Sequence, residues 1–303
     1  MDVKSPPLVP SPNSILQGDA LAVLAAWPAN FVDCVITSPP YWQQRDYRGE
    51  ANQVGREATP REYTERLTAI FRQVRRVLKP SGTLWLVIGD KYLDGSQLGL
   101  PWRLALALID DGWILRADCI WHKPNAMPSS TKSRPTTDHE YIFLLTKSKD
   151  YFYDADAVRE PHVTFSESSR MRGGRRHFGV RGGTPESGKN GGSINLHDGR
   201  WDQAFHPLGR NKRTVWSISL SKFRDAHFAV FPEALVQNCI KAGCPAGGLV
   251  LDPFVGSGTV PLVACQLGRN YLGIDCVAEY CQMARQRLAD SGVGIPACQA
   301  GSD

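Results

Sequence analysis

The sequence predicts an α/β fold built on a mainly parallel sheet, and three observations carry that prediction. Short apolar runs of strand length alternate with longer stretches of helical periodicity. The run at 249–251 leads into a carboxylate, a glycine-rich loop and a helix start. The alternation is interrupted once, at 159–213, by a basic, glycine-rich segment, and resumes at Thr214.

Taken in order, the first strand ends near Leu16 and a helix follows over 20–27. A buried strand is expected at 31–37, then a polar, loop-like stretch at 43–61. Thr59-Pro60 starts the next helix, because proline suits the first turn and Glu62 and Glu65 favour its positive end. Its buried stripe is Leu67, Ile70, Phe71, Val74, Val77 and Leu78, and Lys79-Pro80-Ser81-Gly82 is expected to end it. A strand at 83–88, a helix at 100–111 closed by Gly112, and strands at 113–121 and 140–146 follow. After the insert come a helix at 232–242, a strand at 248–251, a loop and helix at 256–267, a strand at 271–274 and a helix at 278–288. The expected organisation is a tail (1–14), a first half (15–158), the insert (159–213), a second half (214–290) and a frayed end (291–303).

The 303 residues suit one large domain with an insert, and 42% hydrophobic content supplies a core. No apolar run reaches the roughly 18–20 residues of a membrane span. The first twelve residues lack a signal-peptide core, so a soluble, cytoplasmic protein is expected. None of the eight cysteines forms a Cys-x-x-Cys pair and no histidine cluster lies nearby, so buried thiols are expected rather than zinc, another metal or disulfides. Net charge is +5, but 159–213 holds eleven Lys/Arg against five Asp/Glu, leaving the remainder slightly acidic. A basic excess concentrated in one segment points to a polyanion; the plainer reading is a solvated insert.

Two motifs carry chemistry. Thr37-Ser38-Pro39-Pro40-Tyr41-Trp42 follows the apolar run Cys34-Val35-Ile36, so a strand stops in a rigid turn. Its small hydroxyl, proline carbonyls and aromatic rings suit a planar amine such as a nucleobase. The second is Asp252-Pro253-Phe254-Val255-Gly256-Ser257-Gly258-Thr259. Its glycines let backbone approach a ligand, the helix N-terminus favours a carboxylate or phosphate, and Asp252 can accept from a cationic amine. Asp275, at the end of the next strand, is placed for ribose hydroxyls. An amino-acid zwitterion joined to a ribose describes S-adenosylmethionine. NAD fits less well, because the third glycine of the dinucleotide fingerprint is missing and Asp252 would repel a pyrophosphate.

With both motifs in hand, the chain resembles the amino-methylating DNA methyltransferases, which pair an Asp-Pro-Phe-x-Gly-x-Gly-Thr loop with an [Asp/Asn/Ser]-Pro-Pro-Tyr turn. The order of turn, basic insert and cofactor loop resembles the β group of that family. The likeness runs from about Leu16 to Leu288 and takes in Gly18-Asp19, Trp121-His122-Lys123-Pro124 and the stretch from His227 to Pro232. It implies a Rossmann-like methyltransferase fold, with Asp252 to Thr259 and Thr37 around the cofactor's methionine end and Asp275 on its ribose. It also implies Asp19 near the adenine, and His227, Phe231 and Pro232 completing the pocket. Asp19 alone would read as a helix N-cap, and Phe231 alone as core.

The implied reaction needs a flipped base and two acceptors on its amine, expected to be Ser38 Oγ and the Pro39 carbonyl. Pro40 completes the turn, Tyr41 stacks on the base and Trp42 supports it. Serine at the first position resembles the cytosine-N4 group; adenine N6 is the alternative. A protein-glutamine methyltransferase would carry Asn before Pro-Pro-Tyr and the reverse motif order, and RNA methylation or inactive nucleic-acid binding are further alternatives. Double-stranded DNA is the expected partner, with Arg172, Arg175, Arg176, Arg181, Arg210 and Lys212 toward phosphate. The resemblance leaves a monomer or homodimer open, and equally whether a companion restriction endonuclease exists.

Overall fold

The computed structural model describes residues 9–44, 53–161, 208–220 and 232–292. The chain divides into two compact units, one formed by 1–154 with 214–303 and the other by 155–213. In the first unit, the strands are β1 (Ser14–Gln17), β2 (Val32–Thr37), β3 (Leu78–Ile88), β4 (Tyr92–Leu93), β5 (Ser96–Gln97), β6 (Ile114–His122), β7 (His139–Thr146), β8 (Val215–Ser217), β9 (Leu249–Asp252) and β10 (Asn270–Asp275). The helices are α1 (Ala20–Ala26), α2 (Pro60–Val77), α3 (Leu100–Asp110), α4 (Glu233–Gly243), α5 (Thr259–Gln266) and α6 (Ala278–Asp290).

Eight strands form one sheet in the order β1-β10-β9-β2-β3-β7-β6-β8. The five from β1 to β3 are parallel; β7 runs antiparallel to β3 and β6. From β9 the chain crosses through α5 to β10 on one side, and from β2 it crosses through α2 to β3 on the other. The pair β2/β9 is therefore the point where the winding reverses, and its carboxyl end opens a crevice.

Side-chain alternation sets the two faces of the sheet. Val35, Leu84, Leu86 and Ile88 join the core formed with α1, α2 and α3. Thr83 and Trp85 point the other way, to Gly243 at the end of α4, where a Cβ would lie 2.4 Å from each side chain. Helix α2 shows how the sequence sets this packing. Thr59 and Glu62 form a capping box, Pro60 occupies the first turn, and Leu67, Ile70, Phe71, Val74 and Val77 are buried on one stripe. Such a cap contributes about 1 kcal/mol.

Three features depart from expectation. Lys79 to Gly82 does not form a turn after the helix: α2 stops at Val77 and β3 begins at once, with Leu78 paired to Val32 before a register shift. Residues 114–146 form an antiparallel hairpin, which apolar runs alone cannot distinguish from parallel strands. A small β4/β5 hairpin stands between β3 and α3, where no strand is expected.

In the second unit, the described ends of the insert are joined by a bridge between Glu160 and Arg210. The two backbones exchange hydrogen bonds of 2.9 and 2.8 Å. Arg210 and Lys212, expected on DNA phosphate, also pair with the Glu160 carboxylate at 3.4 and 3.3 Å. The two cations share one carboxylate, so the cluster keeps a net positive charge. Arg172, Arg175, Arg176 and Arg181 lie outside the described residues.

Candidate active site

Both motifs meet at the winding reversal. The registers Cys34 with Val250 and Val35 with Leu251 bring Thr37 and Asp252 side by side, although 215 residues separate them. A cavity of about 360 Å³ opens there. From the Pro-Pro-Tyr turn it is lined by Ser38, Pro39, Pro40 and Tyr41. From the second motif it is lined by Asp252, Pro253, Phe254, Gly256, Ser257 and Thr259, with Asp19 and Asp275 on the neighbouring strand ends.

Asp252 is 1% exposed. Its Oδ1 accepts from Thr37 Oγ1 at 2.6 Å and from Phe254 N at 3.0 Å, and neither bond uses Oδ2. Burial raises its carboxyl to about 7, against the lowering effect of those two bonds. A buried carboxyl poised in this way is suited to a cationic partner. Asp275 accepts Gly256 N at 3.0 Å on one oxygen and Val277 N at 2.9 Å on the other, so its carboxylate is locked in orientation. Gly256 has a φ of 49°, and a Cβ there would meet nothing nearer than the Phe254 carbonyl at 3.9 Å, so its open side gives a ligand room to approach the backbone. Asp19 caps α1 through Ala22 N at 2.9 Å while also lining the cavity. These groups fit a zwitterion joined to a ribose.

At the Pro-Pro-Tyr turn the donors run in one direction. Ser38 Oγ donates to Tyr41 Oη at 3.3 Å, and Tyr41 Oη donates to Glu140 Oε2 at 2.7 Å. Lys123 pairs with the other Glu140 oxygen and lies 4.4 Å over the Trp121 ring. Burial, and then the Glu140 carboxylate, hold the Tyr41 phenol well above its ordinary range, so it remains a donor. Glu140, Lys123 and Trp121 all line the cavity. Sequence reasoning finds Lys123 only as part of a matched stretch and misses Glu140, since nothing local marks a carboxylate 99 residues from Tyr41.

Several expected contacts shift. Trp42 does not line the cavity: it is 2% exposed in the core and donates to the Glu57 carbonyl at 2.8 Å. The Pro40 carbonyl accepts from Tyr63 Oη at 2.9 Å, whereas the Pro39 carbonyl has no donor among the described residues. Thr37 is fully buried and acts through Asp252. Gly258 faces α6, where a Cβ would lie 2.8 Å from Ala284, so it allows helix packing instead of ligand approach. The Thr259 hydroxyl accepts from Arg287 at 2.9 Å. Pro232 is the N-cap of α4 and does not line the cavity, and His227 and Phe231 lie outside the described residues. Of the seven described cysteines six are buried. Cys276 borders the cavity, but burial and then Asp275 raise its thiol to about 11, so it is a poor nucleophile at neutral pH.

The family model for DNA methylases of the N6/N4 type matches residues 32–286. The chain belongs to the N6/N4 DNA methylase family. Among its relatives, the Type II methyltransferase M.XycI of Xanthomonas campestris pv. cyanopsidis is 40% identical, covering 93% of this chain and 89% of the relative. M.SmaI of Serratia marcescens, also a Type II methyltransferase, is 38% identical with 90% of each chain covered. The structure of TTHA0409 from Thermus thermophilus, complexed with S-adenosyl-L-methionine, superposes with a TM-score of 0.59 at 26% identity, covering 93% of this chain and 97% of that one. PvuII DNA methyltransferase (cytosine-N4-specific) shares the fold at a TM-score of 0.67 and 21% identity, covering 96% and 91%. This N6/N4 methylase is thus a DNA methyltransferase with a Rossmann-like sheet, and no described helix is long and apolar enough to cross a membrane.

Proposed function

We propose that this N6/N4 methylase, read as a β-group enzyme from its motif order, methylates the exocyclic N4 amine of cytosine flipped out of duplex DNA. S-adenosylmethionine is the methyl donor and supplies an electrophilic methyl group on a sulfonium. Asp252 receives its ammonium, Asp275 its ribose hydroxyls, and Asp19 lies toward its adenine. The observation that carries the reading is the one-way order of donors from Ser38 through Tyr41 to Glu140. Because the serine proton points to Tyr41, the lone pairs of Ser38 Oγ are left to accept from an amine.

An exocyclic amine is a weak nucleophile while its lone pair is delocalised into the ring. Ser38 Oγ and the Pro39 carbonyl, accepting its two N–H groups, let the nitrogen pyramidalise and stabilise the positive charge that develops there. The proton released can pass to Ser38 and onward through Tyr41 to Glu140, whose charge Lys123 balances. Tyr41 also presents its ring to the base. Mass spectrometry of DNA modified in vitro tests the target: N4-methylcytosine is the expected product, and N6-methyladenine without it overturns the choice.

The insert supplies the DNA-binding charge. Neutralising Arg172, Arg175, Arg176 and Arg181 is expected to weaken binding and to flatten its salt dependence by about 0.9 in log–log slope for each phosphate no longer neutralised. An unchanged slope would assign the insert to a solvated linker. M.XycI and M.SmaI are both Type II methyltransferases, which supports a place for this protein beside a restriction endonuclease.

A further inference from the structure

Gln53 is a buried polar residue that the reaction as described does not use. It is 5% exposed and lines the cavity that holds Ser38, Pro39 and Tyr41. Its side-chain Oε1 has no hydrogen-bond partner among the described residues. Buried carbonyl oxygens are nearly always paired, so an unpaired one on a residue that lines a ligand cavity marks a place for a donor on the ligand.

The backbone around Gln53 is held against the catalytic turn. Gln43 N donates to Gly55 O at 2.6 Å, and Trp42 Nε1 donates to Glu57 O at 2.8 Å. Arg66 ties the Gln53 backbone carbonyl at 3.2 Å and the Glu57 carboxylate at 3.2 Å. Gly55 has a φ of 95°, and a Cβ there would lie 3.0 Å from the Tyr41 carbonyl, so the close approach requires glycine. A side chain on so constrained a loop costs little further ordering when it binds.

We propose that the Gln53 amide reads the edge of the flipped base, its Oε1 sharing with the Pro39 carbonyl the amine N–H that lies beside the ring nitrogen, and its Nε2 donating to that nitrogen. Cytosine offers this donor and acceptor pair at N4 and N3, and adenine at N6 and N1. Guanine and thymine present the reverse pattern, an oxygen beside a ring N–H, and at that edge offer no amine N–H for Ser38, Pro39 and Gln53 Oε1, all acceptors, to bind. Gln53 is therefore a specificity-determining residue that admits amino bases, while Ser38 and Pro39 activate the amine. The inference rests on the reading that a flipped amino base enters this cavity, and it holds for either target base.

The test compares single-turnover methylation of duplexes carrying the target base with duplexes carrying its deaza analogue, in which the ring nitrogen beside the amine is a C–H. The wild-type protein is expected to slow by about tenfold to a hundredfold on the analogue. Q53M should lose a similar factor on the natural base and almost none further on the analogue. Any change in intrinsic amine reactivity is common to both proteins and cancels in the ratio. Cofactor binding and melting temperature should match the wild type. If Q53M proves unstable, Q53N carries the same expectation, since its shorter amide stays polar but withdraws from the base. A variant that keeps the wild-type discrimination between the two duplexes overturns the assignment. So does a wild-type protein that methylates both at one rate. Failure of the wild type to methylate any duplex would instead overturn the DNA-methylation reading itself.

Discussion

Replacing Ser38 with alanine is expected to lower kcat by about 10²–10³-fold while leaving S-adenosylmethionine affinity unchanged. Ser38 begins the turn where β2 ends, and its hydroxyl bonds to Tyr41 at 3.3 Å rather than to the cofactor loop. Removing it deletes an acceptor that matters most as charge builds on the amine, so the loss falls on turnover rather than on ground-state binding. The cradle of Asp252, Gly256 and Asp275 is held by its own bonds and should survive. Tyr41→Phe offers a matching comparison. It keeps the ring for stacking but breaks the link to Glu140, so kcat should fall with little change in DNA affinity. Isothermal titration with cofactor beside single-turnover rates separates these outcomes. Parallel loss of cofactor binding and turnover in Ser38→Ala would assign the serine to folding.

Asp252→Asn is expected to abolish measurable cofactor binding and yet to stabilise the free protein above neutral pH. An unfolded aspartate titrates near 3.8, whereas burial raises this one to about 7. Between those values the folded protein holds a proton that the unfolded chain has lost. The contribution of this carboxyl to stability is therefore greatest below about pH 4, declines as pH rises toward 7 and stays low above it. The asparagine removes an ionisation cost on the order of a few kcal/mol while its Oδ1 still accepts from Thr37 and Phe254. Cofactor affinity in the wild type should rise as pH passes through about 7, because the ionised carboxylate is what attracts the ammonium. It should fall again once that amino group deprotonates, near about 8. Thermal melts of both proteins at pH 5 and 8.5, with and without cofactor, check each part. A variant that melts lower than wild type at pH 8.5 without cofactor overturns the account of a strained carboxyl.

Much of this site is legible in the chain because its essential groups sit in short local motifs. Ser38 to Tyr41 ends a strand in two prolines, and Asp252 to Thr259 joins a strand to a helix through glycines. In each case a few consecutive residues set the local backbone, so neighbouring chemistry can be read without knowing the fold. Helix α2 is legible for the same reason, its cap and stripe being written within eighteen residues.

What escapes is everything that depends on distant partners. Trp42 and Thr37 belong to legible motifs, yet their environments place one in the core and the other behind Asp252. Gly258 fits a ligand loop by pattern, but a helix from further along the chain occupies its open side. Glu140 and Gln53 carry no local signal, since a single carboxylate or amide acquires meaning only from what it faces.

The α/β class, the two motifs, the family they imply and the local turns that display Ser38 and Asp252 can be read from the chain, because periodicity and turn chemistry act over a few residues. Tertiary structure alone decided that those turns share one crevice, that Tyr41 donates to Glu140, and which glycine faces ligand or helix. Those outcomes follow from strand order and register, which are set by packing between residues as far as 215 positions apart.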